Sequence, residues 1–423
     1  MRCSSRMPGS IPNRHMLRVA VIGSGPAGLY AAAALARNPD TSVDVLDRLP
    51  QPFGLVRYGV APDHPKIKSI SAALQQIVED PAVRFLGNVE VGTTVALAEL
   101  HRHYDAVLFA YGSAVGRSLG VPGDELPGSF AASDFVSWYC GHPDAPIDSF
   151  TLAARGVAVV GVGNVALDVT RMLAKSAAEL AHIDLPDHVR RVLANSAVED
   201  IHLIGRRGPL QARFTTKELR ELGDVANADI LVAAEELERD GPDAGDDIPP
   251  VARRNLEVLR EWAGREPQGR PRRIHVRFWQ RPAEIHGSDR VSALRLEGTR
   301  MEAGGVLSVT GETSVIDAEM ILASVGYRGL PLPQLPFDPD TGVVPNSDGR
   351  VLRDGSVVPG EYVAGWIKRG PTGVIGTNKR DAGETVRALL ADAESLPVAP
   401  VRDPETLLKE LAHRGVTVAT WPN

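Results

Sequence analysis

Apolar residues in this chain come in short closed runs rather than long stripes. Val19-Ala20-Val21-Ile22, Val43-Asp44-Val45-Leu46, Ala106 to Ala110, Val157-Ala158-Val159-Val160, Ile201-His202-Leu203-Ile204 and Glu319 to Tyr327 each hold a dense apolar segment bounded by polar residues or glycine. Runs apolar on both faces predict the central strands of a parallel sheet. Weaker strand signals lie at Val83 to Val91, Ile274 to Phe278 and Val291 to Leu296. Helical spacing appears in Ile67, Ile70, Leu74 and Ile77, which Pro81 stops, and helices are also predicted over Pro250 to Gly264 and Asn378 to Asp392. A last helix has Asp403 as N-cap, Pro404 at its first position and Gly415 past its end. It reads as either a terminal clamp or a loose tail. Alternation of strand and helix predicts an α/β fold with doubly wound, three-layer sheets. The Pro- and Gly-rich stretch Pro50 to Pro65 reads as a long ordered loop, Asp240 to Asp247 as a solvated loop, and Pro331, Pro333 and Pro336 as a linker.

Two of the strands run directly into glycine turns. Gly23, Gly25 and Gly28 form Gly-x-Gly-x-x-Gly between a strand and a helix. Such a turn lets a pyrophosphate approach the backbone and rest on the helix N-terminus. Asp47 follows the second strand at about the 20-residue spacing at which a carboxylate meets a nucleotide ribose. Arg2, Arg6, Arg14 and Arg18 before the apolar run up to Ala36 superficially copy a secretory signal, but the glycines and Pro26 would break its apolar helix in the middle. Residues 1–16 read as a disordered extension or as an upstream start before Met16.

The second turn is Gly161-Val162-Gly163-Asn164-Val165-Ala166, the variant with alanine in third place. Its next strand ends in Arg206 and Arg207 rather than an acid. Paired guanidinium groups favour a 2'-phosphate, so the second nucleotide is expected to be NADP(H). The distance from Ala166 to Arg206 is about twice the usual spacing, which predicts an enlarged helical crossover over 170–198.

Composition narrows the chemistry. With 423 residues, 43% hydrophobic and 23% charged, the chain has the make-up of a globular protein of two or three domains, and no apolar stretch reaches the roughly 20 residues of a membrane helix. A net charge of -7 gives no support to nucleic acid or an anionic membrane as partner. Cys3 and Cys140 form no CxxC pair and cannot ligate an iron-sulfur cluster alone. No metal site is expected, a reducing, cytoplasmic setting is the default, and any redox chemistry belongs to a bound cofactor. Cys140 reads as a small buried filler.

Four runs carry a resemblance to a known family: Pro52 to Pro65, Gly163 to Asp168, Gly205 to Gln211 and Gly365 to Thr377. Over most of residues 17–390 the chain resembles the adrenodoxin reductase family of ferredoxin-NADP+ reductases, of bacterial type. The resemblance implies two Rossmann-like domains in a glutathione-reductase-like architecture. An FAD domain is built from 17–112 and 330–395, an NADP domain occupies 113–329, and 396–423 forms a tail with a short helix. It implies that Ala27, Asp47, Leu55, Val89, Trp366, Gly373, Val374 and Ile375 contact FAD, beside Gly23, Gly25 and Gly28 of the first turn. It places Arg117, Asn164, Val165, Arg206, Arg207, Glu218 and Gly373 on NADP(H), beside Gly161, Gly163 and Ala166 of the second. The family usually has Glu where this chain has Asp47. His64 and Asp168 match a polar pair near the flavin, and a histidine of near-neutral pKa suits a proton relay.

The activity so implied is hydride transfer from NADPH to FAD, then single-electron transfer to a small acidic iron-sulfur ferredoxin, with cytochromes P450 as downstream consumers. Arg213, Lys217, Arg220 and Arg253 are basic candidates for its transient docking. Two further readings stay open from the residues alone. One is an NADPH diaphorase, quinone reductase or flavin monooxygenase; the other is a non-catalytic nucleotide-sensing flavoprotein. A disulfide reductase is excluded by the missing cysteine pair.

Overall fold

The computed structural model describes residues 16–64, 68–239, 248–302, 304–373 and 375–421. The expectations for residues 1–15, Cys3 among them, for the loop 240–247 and for Val374 lie outside the described residues. The chain forms two compact units, one from 16–57, 68–113 and 328–421, the other from 58–64 and the described part of 114–327.

In the first unit, strands β1 (Leu17–Ile22), β2 (Thr41–Leu46), β3 (Val83–Leu86) and β4 (Ala106–Phe109) lie parallel in the order 3-2-1-4. Ser356–Val363 joins in parallel beyond β4, and an antiparallel pair, Asn346–Ser347 with Arg350–Arg353, completes seven strands. Val19, Ala20 and Val21 are fully buried, as an apolar run in a covered central strand must be. Helix α1 (Pro26–Ala36) packs on this sheet and against the helix Ile375–Asp392 from the other end of the sequence.

The second unit repeats the plan. Strands β5 (Gly156–Val160), β6 (Asp200–Ile204), β7 (Ala228–Val232), β8 (Arg272–Arg277) and β9 (Met320–Ala323), with Ser129–Ala131 at one edge, form a six-stranded parallel sheet. Helix α2 (Asn164–Ala174) follows β5, and two short helices, Ala177–Leu180 and Asp187–Ala194, make up the enlarged crossover to β6. Helix α3 (Thr216–Gly223) packs against α2. A separate antiparallel sheet joins Gln280–His286, Ala293–Met301 and Leu307–Asp317.

Several boundaries differ from the sequence reading, each for a local reason. Residues 58–64 belong to the second unit, where Ala61 enters the hydrophobic core and Asp63 and His64 make ion pairs. The segment 396–421 is no separate tail: Leu407 and Leu411 are buried in the first unit's core with Leu100 and Tyr104. The strand expected to reach Val91 stops at Leu86, because Asn88 turns the chain with φ 62°. The helix expected from Asn378 opens at Ile375, so the glycine-rich run leads straight into it. Within the Pro50 to Pro65 loop, Leu55–Tyr58 forms one helical turn.

Candidate functional site: two glycine turns and a buried charge cluster

The two glycine turns are built alike. Gly23 has φ 106° and Gly161 φ 134°, conformations that L side chains rarely adopt. A Cβ at Gly23 would meet the Ala110 carbonyl oxygen at 2.7 Å, and one at Gly161 the Ser324 carbonyl oxygen at 2.2 Å. Each first glycine thus presses its turn against the end of the neighbouring strand. At the second glycines, Gly25 and Gly163, a Cβ would meet nothing within 4 Å, so this side of each turn is open to a ligand. Both residues are helix N-caps without a side-chain cap, and neither α1 nor α2 has an acid in its first turn. N-terminal N–H groups left without a side-chain acceptor suit a phosphate. The third positions explain their own difference. A Cβ at Gly28 would lie 1.9 Å from the Gly23 carbonyl oxygen, whereas the Ala166 methyl is accommodated, fully buried, in the second unit's core.

The FAD candidates that are described all fall in the first unit. Asp47 follows β2, and one of its oxygens accepts from the Ser24 N–H at 2.8 Å and the Ser24 hydroxyl at 2.5 Å, the other from the Leu49 N–H at 2.9 Å. A carboxylate offers about four acceptor positions. Asp47 therefore spends most of its capacity locking the turn and keeps little for a ribose. Val89 is buried, with its N–H donated to the Asp47 carbonyl. Leu55 is exposed at the start of its helical turn, and Gly54 lies so close to the open glycine that its Cβ would be 3.0 Å from the Gly25 Cα. From the far end of the sequence, Gly365 has φ 78° and backs onto Ala27, where a Cβ would meet the Ala27 methyl at 2.5 Å. This contact brings Trp366, Gly373 and Ile375 to the unit that holds the first turn. The Gly365 N–H donates to Asp381, which fixes the strand-to-helix turn.

The NADP(H) candidates lie in the second unit, Gly373 excepted. Asn164 Oδ1 accepts from the Thr215 N–H at 2.9 Å and ties the second turn to the start of α3. Val165 is half-buried beside it. Arg206 is exposed beyond β6; Arg207 is half-buried, and its Nε is a buried donor with no acceptor among the described residues. An exposed and a half-buried guanidinium following an open glycine turn fit a 2'-phosphate. The backbone of the pair is held from behind: Thr299 donates its hydroxyl to the Arg206 carbonyl at 2.8 Å, and the Trp279 N–H donates to the Arg207 carbonyl at 3.3 Å. Arg117 is exposed, with Nε donating to the Tyr327 carbonyl at 3.2 Å.

His64 and Asp168 meet in this unit. His64 Nε2 lies 2.8 Å from Asp168 Oδ1 and 3.1 Å from Glu218 Oε2, and Nδ1 lies 3.2 Å from Glu221 Oε2. Burial alone would lower the imidazole pKa, but the hydrogen bonds to Asp168 and Glu218 outweigh it and raise it to about 9. This lies above the near-neutral value expected from sequence and favours the protonated imidazole at neutral pH, against the nearby charge of Arg171. Glu218, expected on NADP(H), lies 3.1 Å from His64 and 3.8 Å from Arg171, and the bond to His64 holds its carboxyl below the usual range.

Sequence reasoning missed the centre of this cluster. Arg171, one turn after Asp168 on α2, donates to both Asp63 oxygens at 2.7 and 2.9 Å and to Asp168 at 2.8 Å, with Nη2 2.7 Å from His64 Nε2. Lys175 adds a contact to Asp63 at 3.3 Å. Burial alone would raise the Asp63 carboxyl; its bonds to Arg171 hold it below the usual range. The ligand atoms of His64, Asp168 and Glu218 lie within 4.8 Å of one another, a spacing open to a metal ion, yet the guanidinium of Arg171 already supplies the cation there. The i, i+3 spacing of Asp168 and Arg171 was the only signal of it in the sequence. Cys140 is half-buried, with its thiol 3.3 Å from the Val60 carbonyl, and burial pushes its pKa well up.

Residues 17–220 match the family pattern described as pyridine nucleotide-disulphide oxidoreductase. The chain is 46% identical over 382 residues to the NADPH-ferredoxin reductase FprA of Mycobacterium tuberculosis strain H37Rv, covering 88% of this chain and 83% of that protein. It is 39% identical over 398 residues to the mitochondrial NADPH:adrenodoxin oxidoreductase of Arabidopsis thaliana, covering 89% and 82%. The solved structure of the Mycobacterium tuberculosis FprA in complex with NADPH superposes with a TM-score of 0.89 at 42% identity, over 96% of this chain and 92% of that one. With two Rossmann-like units, two open glycine turns and this extent of identity, the chain belongs to the adrenodoxin reductase family of ferredoxin-NADP+ reductases and is an oxidoreductase.

Proposed function

We propose that the protein takes a hydride from NADPH and passes single electrons to a small acidic iron-sulfur ferredoxin, in the cytoplasm, with cytochromes P450 among the downstream consumers. FAD, held by the first unit, supplies the step from two-electron to one-electron chemistry when bound. The observation that carries the reading is the pair of open, uncapped glycine turns, the second followed past its next strand by Arg206 and Arg207. In this reading the first unit is the FAD domain and the second the NADP domain. Asp47 and Ser24 hold the phosphate turn in shape, and Trp366 and Gly373 border the flavin. Arg206 and Arg207 select the phosphorylated coenzyme. His64, held by Asp168 and Glu218, keeps a proton at Nε2 through neutral pH and delivers it when reduction calls for one.

Arg213, Lys217, Arg220 and Arg253 are all exposed, and Lys217 pairs with Glu221 at 3.1 Å. They are the proposed docking charges for the ferredoxin. The deciding experiment mixes the purified flavoprotein anaerobically with NADPH, then compares steady-state turnover with ferredoxin plus cytochrome c against turnover with quinone or O₂ alone. Bleaching by NADPH with ferredoxin-dependent turnover is expected. Turnover that ferredoxin does not enhance overturns the acceptor assignment, and a colourless protein overturns the flavin reading.

A further inference from the structure

The antiparallel sheet Gln280–His286, Ala293–Met301 and Leu307–Asp317 is separate from the parallel sheet of the second unit, and the activity proposed above leaves it without a task. Its bonds lead to the arginine turn. Three successive carbonyls after β6 each accept a hydrogen bond from this sheet or from the residue just before it: Gly205 from the Gln280 N–H at 3.1 Å, Arg206 from the Thr299 hydroxyl at 2.8 Å and Arg207 from the Trp279 N–H at 3.3 Å. The Thr299 N–H in turn donates to the Trp279 carbonyl at 2.8 Å, so the donors are fixed to one another. A turn bonded at three consecutive carbonyls has its backbone freedom removed in advance.

The donors are themselves anchored on a buried acid. Glu236, on the short helix Ala234–Glu238, accepts from the Phe278 N–H at 2.6 Å through Oε2 and from the Gln280 amide at 3.0 Å through Oε1, and its carbonyl accepts from the Trp279 indole N–H at 3.1 Å. Burying a carboxylate is costly unless it is well bonded, and these bonds all go to 278–280, the stretch that carries two of the three donors. Trp279 is buried at φ 58°, uncommon for so bulky a residue, and such a conformation persists only where its surroundings impose it. Thr299 is 1% exposed and sits where the register against Leu307–Asp317 shifts, an irregularity that often stands beside functional sites.

We propose that Thr299 and Glu236 are positioning residues for coenzyme choice: they brace the backbone of residues 205–207, so that Arg206 and Arg207 are placed for a 2'-phosphate before the coenzyme arrives. The inference rests on the assignment of that arginine pair to the phosphate. A preordered turn spares NADPH the cost of ordering the backbone that carries the two cations, a cost that NADH, without the phosphate, does not meet. The test measures KM and kcat for NADPH and for NADH by initial-rate ferricyanide reduction with the full-length holoenzyme. Thr299→Val keeps the shape of the side chain and deletes the hydroxyl. It should raise the KM for NADPH roughly three- to tenfold, as loss of one hydrogen bond requires, and lower the NADPH over NADH ratio of kcat/KM by the same factor. Thr299→Ser retains the hydroxyl and should restore the ratio. Glu236→Gln turns one acceptor at the other end of the brace into a donor and should shift KM and ratio in the same direction as Thr299→Val. A KM for NADPH that stays at the wild-type value in either Thr299→Val or Glu236→Gln overturns the proposal. So does an equal fall in kcat/KM with both coenzymes, or a Thr299→Ser variant as impaired as Thr299→Val, since each marks the brace as serving stability alone. A variant carrying both Arg206→Ala and Arg207→Ala that keeps its NADPH preference overturns the underlying assignment of the pair instead.

Discussion

Coenzyme choice offers the sharpest quantitative test, because the two arginines after β6 stand in different surroundings. Arg206 is exposed, and an exposed ion pair contributes about 0.2–1 kcal/mol. Arg207 is half-buried, and a charge-assisted bond from a partly desolvated guanidinium contributes about 1.5–3 kcal/mol. At about 1.4 kcal/mol per tenfold, Arg207→Ala should lower the NADPH over NADH ratio of kcat/KM by roughly 10- to 10²-fold, and Arg206→Ala by only about two- to fivefold. The double variant should lose roughly 10²-fold, with the change falling on NADPH because NADH lacks the 2'-phosphate. The assay is initial-rate reduction of ferricyanide with either coenzyme. Salt should narrow the wild-type ratio, since the Arg206 contribution is screened. An unchanged ratio in the double variant, or a larger effect from Arg206→Ala than from Arg207→Ala, refutes the assignment of the pair to the 2'-phosphate.

Three other outcomes follow from the same geometry. Because the folded pKa of His64 is raised to about 9 from 6.5, its protonation stabilises the fold fully below pH 6.5, and that contribution is lost as pH rises through 9. Denaturant titrations should therefore show wild type losing stability between pH 6.5 and 9 relative to His64→Gln; parallel profiles would remove His64 from the cluster's charge balance. Arg171→Leu leaves Asp63 and Asp168 buried without their cation and should cost about 3–5 kcal/mol of unfolding free energy, less in acid, and a loss under about 1 kcal/mol would contradict the role of Arg171 as the cation that neutralises them. Gly28→Ala drives a methyl to 1.9 Å from a backbone oxygen, so it should lower the melting temperature and the bound flavin content together, while the matching second-turn change, Ala166→Gly, opens a small void and costs only about 1 kcal/mol.

Legibility from sequence followed the source of each constraint. The glycine turns could be read because their chemistry is local: a strand, a left-handed glycine and an open N-terminus lie within a dozen residues. The position of Arg206 and Arg207 just past β6 was readable for the same reason. The His64 cluster draws on Asp63, Asp168, Arg171 and Glu218, three distant segments that only tertiary structure brings together, and the histidine's raised pKa is a product of that meeting. Of the antiparallel sheet Gln280 to Asp317 only the central strand left a signal, at Val291 to Leu296; Leu307–Asp317 is exposed along most of its length and carries little apolar signal. For the segment 396–421 the helix was legible from Asp403 and Pro404, while the choice between clamp and loose tail turned on the burial of Leu407 and Leu411, a tertiary contact.

The backing of Gly365 onto Ala27 carries a consequence for biosynthesis. The two residues lie in different sequence segments of the first unit, and the second unit is wholly encoded between them. During synthesis the chain can close the second unit's parallel sheet on the ribosome while β1 to β4 still lack both Ser356–Val363 and the helix Ile375–Asp392. Contacts of such long sequence separation form late. A chain interrupted before residue 365 therefore lacks the segment that backs the first glycine turn at Ala27.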